Sequence, residues 1–217
     1  QENVLWAEYL NQATALNGVK KDTIEGKGRL NNQITGRIFE YLAKKGIASH
    51  YIQELSETEQ LVKRVNMYPL EVVVRNVAAG SFAKRFGMEE GIDLPFPVLE
   101  FYYKDDALND PFINDAHVKV LGAATDEEVA EIKAQAQKIN AALIEMFKAI
   151  GIRLIDFKIE FGKTAEGEII LADEISPDTC RLWDLETNEQ LDKDIYRRDL
   201  GDLIPVYVEV LDRLNKM

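Results

Sequence analysis

The most constraining stretch of this chain is Leu154-Ile155-Asp156-Phe157-Lys158-Ile159-Glu160-Phe161-Gly162. Its alternation has the period of a β-strand with two unlike faces. Ile155, Phe157, Ile159 and Phe161 fall on one side, and Asp156, Lys158 and Glu160 on the other. A turn-rich segment over 162–168 leads into a second apolar run, Ile169-Ile170-Leu171-Ala172-Asp173-Glu174-Ile175, so the pair predicts a β-hairpin. A register with Leu171, Asp173 and Ile175 on the face of Glu160 would bring two carboxylates and a lysine together. Such a cluster suits a hard metal ion and a phosphate. A solvated face carrying a salt bridge is the plainer reading of the same charges.

The rest of the chain supplies a mixed set of elements. Val4 to Leu10 is β-prone and runs into an expected turn over 11–18, then a glycine-punctuated loop at 24–28. Leu30, Ile34, Ile38 and Leu42 recur every four residues, an amphipathic helix closed by Gly46. Strands are expected at 47–53 and 60–65 around the polar turn Ser56-Glu57-Thr58-Glu59, and a hinge at 66–69. Leu70 to Val74 restarts the chain as a strand ending in Arg75-Asn76, and Ala78-Ala79-Gly80-Ser81 opens a short helix stopped at Gly87. Strand, small-residue loop and helix start together form anion-binding geometry, with Arg75 and Ser81 in reach; an ordinary cap is the alternative. A further strand is expected at 97–104, followed by an acidic loop. Thr125-Asp126-Glu127-Glu128 is a capping box that starts a long helix with an apolar stripe from Val129 to Phe147. Pro177 interrupts regular structure after the hairpin, and the last helix carries Leu203, Tyr207, Leu211 and Leu214.

Bulk properties narrow the function classes. At 217 residues the chain can bury a core as one domain or two lobes. A net charge of −12, spread along the sequence, argues against nucleic acid or an anionic membrane as partner. Cys180 is the single cysteine, so no intrachain disulfide forms and a reducing compartment fits. No apolar run reaches membrane-spanning length and no signal peptide opens the sequence, so a soluble cytoplasmic protein is expected. The sequence opens at Gln1 with no Met, and a preceding segment is expected.

Several stretches, in order along nearly the whole chain, resemble one family. Pro69-Leu70-Glu71-Val72-Val73-Val74-Arg75-Asn76-Val77-Ala78-Ala79-Gly80-Ser81 and the 154–162 strand are similar to the two signature stretches of SAICAR synthetase, the phosphoribosylaminoimidazole-succinocarboxamide synthase of purine biosynthesis. Glu25-Gly26-Lys27-Gly28, Ser56 to Glu59, Glu100 to Lys104, Ala172 to Asp178 and Arg181-Leu182-Trp183-Asp184 extend the likeness. Leu16 and Asp105 depart from it, where Phe and Asn are common.

The resemblance implies an α+β fold of two lobes, kinase-like or ATP-grasp-like. Residues 1–68 would form the N-terminal lobe covering the nucleotide, and 69–217 the C-terminal lobe with the ribotide and metal sites. It also implies an incomplete N-terminal lobe, because the family begins with a strand, a glycine-lysine loop and a second strand that this sequence does not contain. The activity implied is ATP-dependent joining of carboxyaminoimidazole ribotide to L-aspartate through an acyl phosphate, with magnesium, by an enzyme for which a homodimer is one assembly to expect. By motif, Glu160 and Asp173 resemble magnesium ligands, Lys104 a nucleotide phosphate contact, and Met67 the backbone of the adenine-contacting hinge. Arg75, Ser81, Asp178, Arg181 and Arg197 resemble the ribotide site, with Asp156 and Lys158 as catalytic residues close to the reacting carboxylate. Two other classes compete: a binding protein that keeps the ribotide site without turnover, and a small-molecule kinase with similar lobes.

Overall fold

A computed structural model describes residues 3–15 and 20–217. The elements in order are β1 (Val4–Glu8), β2 (Gln12–Ala15), β3 (Lys20–Thr23), α1 (Lys27–Lys44), β4 (Tyr51–Ser56), β5 (Glu59–Lys63), β6 (Asn66–Met67), β7 (Leu70–Val77) and α2 (Gly80–Phe86). Then come β8 (Asp93–Tyr103), a 3-10 turn (Asp106–Leu108), β9 (Phe112–Ile113), α3 (Asp115–Val120), α4 (Asp126–Ala149), β10 (Ile152–Lys163), β11 (Ile169–Ala172), β12 (Cys180–Asp184), α5 (Asp194–Arg197) and α6 (Leu203–Leu214). The fold is α+β.

Most of the helices form where the sequence periodicity puts them. Leu30, Ile34, Ile38 and Leu42 form the buried stripe of α1, which ends at Gly46 with φ +76°. Both hydrogen bonds of the Thr125–Glu128 capping box are made at the start of α4. The short helix α2 is closed by Gly87 in the left-handed region. Unlike the expected turn, Gln12–Ala15 is a strand paired with β3; residues 16–18 of that turn lie outside the described residues. The strands expected at 47–53 and 60–65 are β4 and β5, each displaced along the chain by a few residues or less.

β10 organises the main sheet, whose order is β11-β10-β7-β8-β9, with β12 and β6 also pairing to β10. A smaller sheet has the order β1-β5-β4. The main core packs α1, α4 and α6 with one face of the main sheet: Leu30 and Phe39, Ile139 and Phe147, and Tyr207 meet Val72, Val74, Phe157, Ile159 and Phe161. Burying such side chains fully contributes roughly 1.5–3 kcal/mol each.

The alternation in β10 is not continuous. Between Leu154 and Asp156 the pairing with β12 slips, so that two residues of β10 oppose one step of β12. The extra residue is Ile155, a β-bulge. Ile152 and Leu154 belong to the main core before the bulge, and Phe157, Ile159 and Phe161 after it. Ile155 itself packs with Val77, Ala79 and Trp183 in a separate cluster and does not share the face of Phe157. The expected register of the hairpin is also corrected. Glu160 lies opposite Ala172 and Phe161 opposite Leu171, so Leu171 lines the core face.

Candidate active site

The face of the sheet turned away from the core carries charges of both signs. Register places Arg75 opposite Asp156 and Val73 opposite Lys158, with Glu71 two positions further along β7. On β8, Glu100 stands opposite Val73 and Tyr102 opposite Glu71. On β12, Arg181 pairs with Asp156. Alternation along β7, β8 and β12 therefore brings these side chains to one surface.

That surface is the floor of a cavity of about 430 Å³ lined by residues that include Arg75, Ser81, Asp156, Lys158, Asp178, Arg181 and Arg197. Asp156 anchors the cations: its Oδ2 accepts from Arg75 Nη1 at 2.8 Å and from Arg181 Nη1 at 3.0 Å. Arg75 also donates from Nε to Glu100 at 2.8 Å and from Nη2 to Ser81 Oγ at 3.1 Å. Burial works against the Arg75 charge, but Asp156 and Glu100 outweigh it and raise its pKa. Arg181 is held from behind by Asp194 at 2.9 Å, and Arg197 by the other oxygen of Asp194 at 2.8 Å. Fork-shaped donors fixed in this way are preorganised for phosphate or carboxylate.

The second centre adjoins the first at Lys158, whose Nζ lies 2.7 Å from Glu160 Oε1, 3.1 Å from Asp173 Oδ2 and 3.6 Å from Glu71. Lys104 Nζ takes the other Glu160 oxygen at 2.6 Å. Glu160 is almost fully buried, 1% exposed. Burial disfavours the Lys158 charge, yet Asp173, Glu160 and Glu71 together raise its pKa, so the ammonium stays charged. Asp173 is lowered despite its burial, because Lys158 attracts its charged form. It stands just past β11 with φ +60°, a left-handed backbone that non-glycine residues rarely adopt. This turn, and not the expected strand register, returns its carboxylate to Lys158.

A buried network backs the cavity. Asp178 accepts from Lys27 at 2.6 Å and from the Tyr207 hydroxyl, and pairs with Lys193 at 3.5 Å. Burial opposes its ionisation, but Lys193 and Lys27 outweigh this and lower its pKa. Glu174 beside it is pushed up to about 7 by burial and by the charges of Asp178 and Asp173.

The five residues matched to a ribotide site by motif thus share one cavity with Asp156 and Lys158, while Lys104, Glu160 and Asp173 form the adjoining acidic centre. Met67 lies apart on β6, opposite Gly162 and 44% exposed. Glu71, Glu100, Tyr102, Lys27, Lys193 and Asp194 escaped sequence reasoning. Glu71 and Arg75 at alternate positions of one strand were the signal available for the first of them. Glu160 and Asp173 already share one cation, Lys158. Two hard carboxylates so placed match magnesium, which takes one or two of them and completes its shell with water and phosphate oxygens.

Arginine forks facing a cavity, next to two acids that share an ammonium, suit phosphate and carboxylate groups, and so define the class as proteins with a built site for anionic ligands. That class narrows to one family. The SAICAR synthetase family model matches residues 1–214, and the chain belongs to this family. The phosphoribosylaminoimidazole-succinocarboxamide synthase of Listeria innocua is 61% identical over 217 residues, spanning all of this chain and 92% of the relative. The solved enzyme of the same name from Ehrlichia chaffeensis superposes with a TM-score of 0.97 at 44% identity, over 100% of this chain and 93% of that one. A SAICAR synthetase solved in complex with ADP has the same TM-score and coverages at 47% identity.

Proposed function

We propose that this chain is an ATP-dependent ligase of purine biosynthesis that joins carboxyaminoimidazole ribotide to L-aspartate. The γ-phosphoryl group of ATP passes to a carboxylate oxygen of the ribotide, and ADP leaves. The aspartate amine then attacks the acyl carbon, the carbon–oxygen bond to phosphate breaks, and the products are the amide and phosphate. The arrangement of one cavity supports this reading: Arg75, Ser81, Asp178, Arg181 and Arg197, each matched by motif alone, line it together with Asp156 and Lys158.

Each group then has a part to play. Arg75, Arg181 and Arg197 bind the ribotide anion, with Ser81 as a hydroxyl donor, and Asp156 keeps Arg75 and Arg181 in register. Lys158 stays protonated and stabilises negative charge on the reacting carboxylate; it is no base. Lys104 contacts the nucleotide phosphates, and the Met67 backbone the adenine. Glu160 and Asp173 would hold magnesium, which when bound would neutralise phosphate charge. Catalysis is then largely positioning and electrostatics. Residues 1–68 act as nucleotide cover and 69–217 as the lobe carrying the ribotide and metal residues.

No helix among the described residues is long and apolar enough to cross a membrane. The same reading expects a cytoplasmic homodimer, which sedimentation would report as two chains per particle. The deciding experiment is a coupled assay for ADP. A ligase sustains ADP formation over many turnovers only with both aspartate and ribotide present. Sustained ADP formation without aspartate would identify a kinase, and no ADP with all substrates a binding protein.

A further inference from the structure

Asp173 presents a mechanical problem. Its backbone sits in the left-handed region at φ +60°, and from that turn its carboxylate meets Lys158 at 3.1 Å. A side chain in this conformation persists where its surroundings over-determine it. The surroundings here come from the segment between α1 and β4, which lies along β11. Leu171 N–H donates to Ala48 C=O at 3.2 Å, and His50 N–H donates to Leu171 C=O at 2.8 Å. Two residues past Leu171, the His50 ring meets the Asp173 carbonyl, with Nε2 at 2.9 Å. A carbonyl oxygen can only accept, so this contact requires the proton on Nε2. The ring is also braced edge-on by Phe39, at 5.8 Å between centroids and 79° between planes. His50 and Asp173 line the same small cavity of about 210 Å³.

We propose that His50 is a positioning residue for Asp173: its Nε2–H bond to the Asp173 carbonyl holds the left-handed turn that delivers the carboxylate to the metal site. The proposal rests on the reading of Asp173 as a magnesium ligand. His50 touches neither substrate nor metal. It acts through the backbone, as outer-shell partners of metal ligands commonly act through a hydrogen bond. Without the donor, the turn keeps only the Lys158 contact and the bonds at Leu171, and relaxation of residue 173 toward extended backbone would carry the carboxylate away from Glu160.

The test is binding of Mn2+, a paramagnetic stand-in for magnesium, to the full chain with ADP, followed by electron paramagnetic resonance. His50→Phe keeps a ring against Phe39 but removes the donor. It should weaken Mn2+ binding about tenfold, the lower end of outer-shell effects, while ADP binding without metal is unchanged. His50→Gln restores an N–H donor and should recover most of the loss. Mn2+ affinity equal to the parent in His50→Phe would overturn the proposal, as would an equal loss of metal-free ADP binding. Asp173→Asn separates the two levels of inference: if that variant binds Mn2+ as the parent does, the metal-ligand reading itself is wrong. Nitrogen NMR of the parent protein gives a check independent of any variant's folding. The His50 ring should carry its proton on Nε2, and an Nδ1–H tautomer would refute the bond.

Discussion

The carboxylates of Glu160 and Asp173 meet at a single ammonium, with Lys158 Nζ 2.7 Å from one and 3.1 Å from the other. Two acids around one buried cation leave little excess charge while the site is empty of substrate. Lys104 takes the second oxygen of Glu160, so both of its oxygens are paired.

Asp173→Asn keeps the shape of the side chain and removes its charge. Turnover should fall by about a hundredfold or more, the cost of one preorganised electrostatic group, and ribotide affinity should stay largely intact. Steady-state rates beside ribotide calorimetry would check this. A parallel loss of ribotide affinity would assign Asp173 to the other substrate.

Gly80→Ala tests the anion cavity without touching an ionisable group. Gly80 has φ +53°, and a Cβ there would lie 2.2 Å from Arg181 Nη2. Arg181 must then shift from its place beside Asp156. Losing one charge-assisted contact costs about 1.5–3 kcal/mol, so ribotide binding should weaken roughly ten- to a hundredfold with ATP binding little changed. Gly87→Ala is the control: φ is similarly positive, at +61°, but a Cβ there meets nothing within 4 Å. It should lower thermal stability and leave ribotide affinity alone.

Lys158→Met keeps the aliphatic stem and deletes the charge. Lys104 still pairs Glu160, but Asp173 and Glu71 lose their cation, so thermal stability should fall while ATP binding changes little. The single-turnover rate should drop by about a hundredfold or more. Normal turnover at saturating substrates would reduce Lys158 to a balancing ion.

Asp192 makes stability depend on pH. It is fully buried, accepting from Leu182 N–H at 2.9 Å and Asp194 N–H at 2.7 Å. Burial, and then the charge of Asp194, raises its pKa from 3.8 to about 7. Between those values the folded chain holds a proton that the unfolded chain has released, so this group's contribution to stability falls as pH rises from about 4 to 7. Melting temperatures across that range should show the decline. Asp192→Asn should be less stable overall, since an amide cannot accept both N–H groups, but should lack this component of the slope.

Much of the architecture was legible in local pattern. The four-residue spacing in α1 and the Thr125–Glu128 box carry their own physical causes, and the motif matches placed five residues of one cavity. Three features were hidden for related reasons. Ile155 reads as one more apolar step, because a bulge shows only in the pairing with β12. Asp173 reads as a strand residue, because nothing in its identity announces a left-handed backbone. Glu71, Glu100 and Tyr102 join the site by register across strands, a relation between distant segments that no local window contains. The short helix α3 went unseen because its cap, Asn114 with His117, is not the usual acidic pairing.

The Ile155 bulge is a frameshift in three dimensions. Core residues of β10 have even numbers before it, 152 and 154, and odd numbers after it, 157, 159 and 161. Had the count run on unbroken, Asp156, Lys158 and Glu160 would have faced the interior. The chain would then have had to choose between burying three charges and exposing three large apolar side chains. One surplus residue removes that choice, so that a single strand keeps an apolar back along its whole length while Asp156, Lys158 and Glu160 face the cavity side.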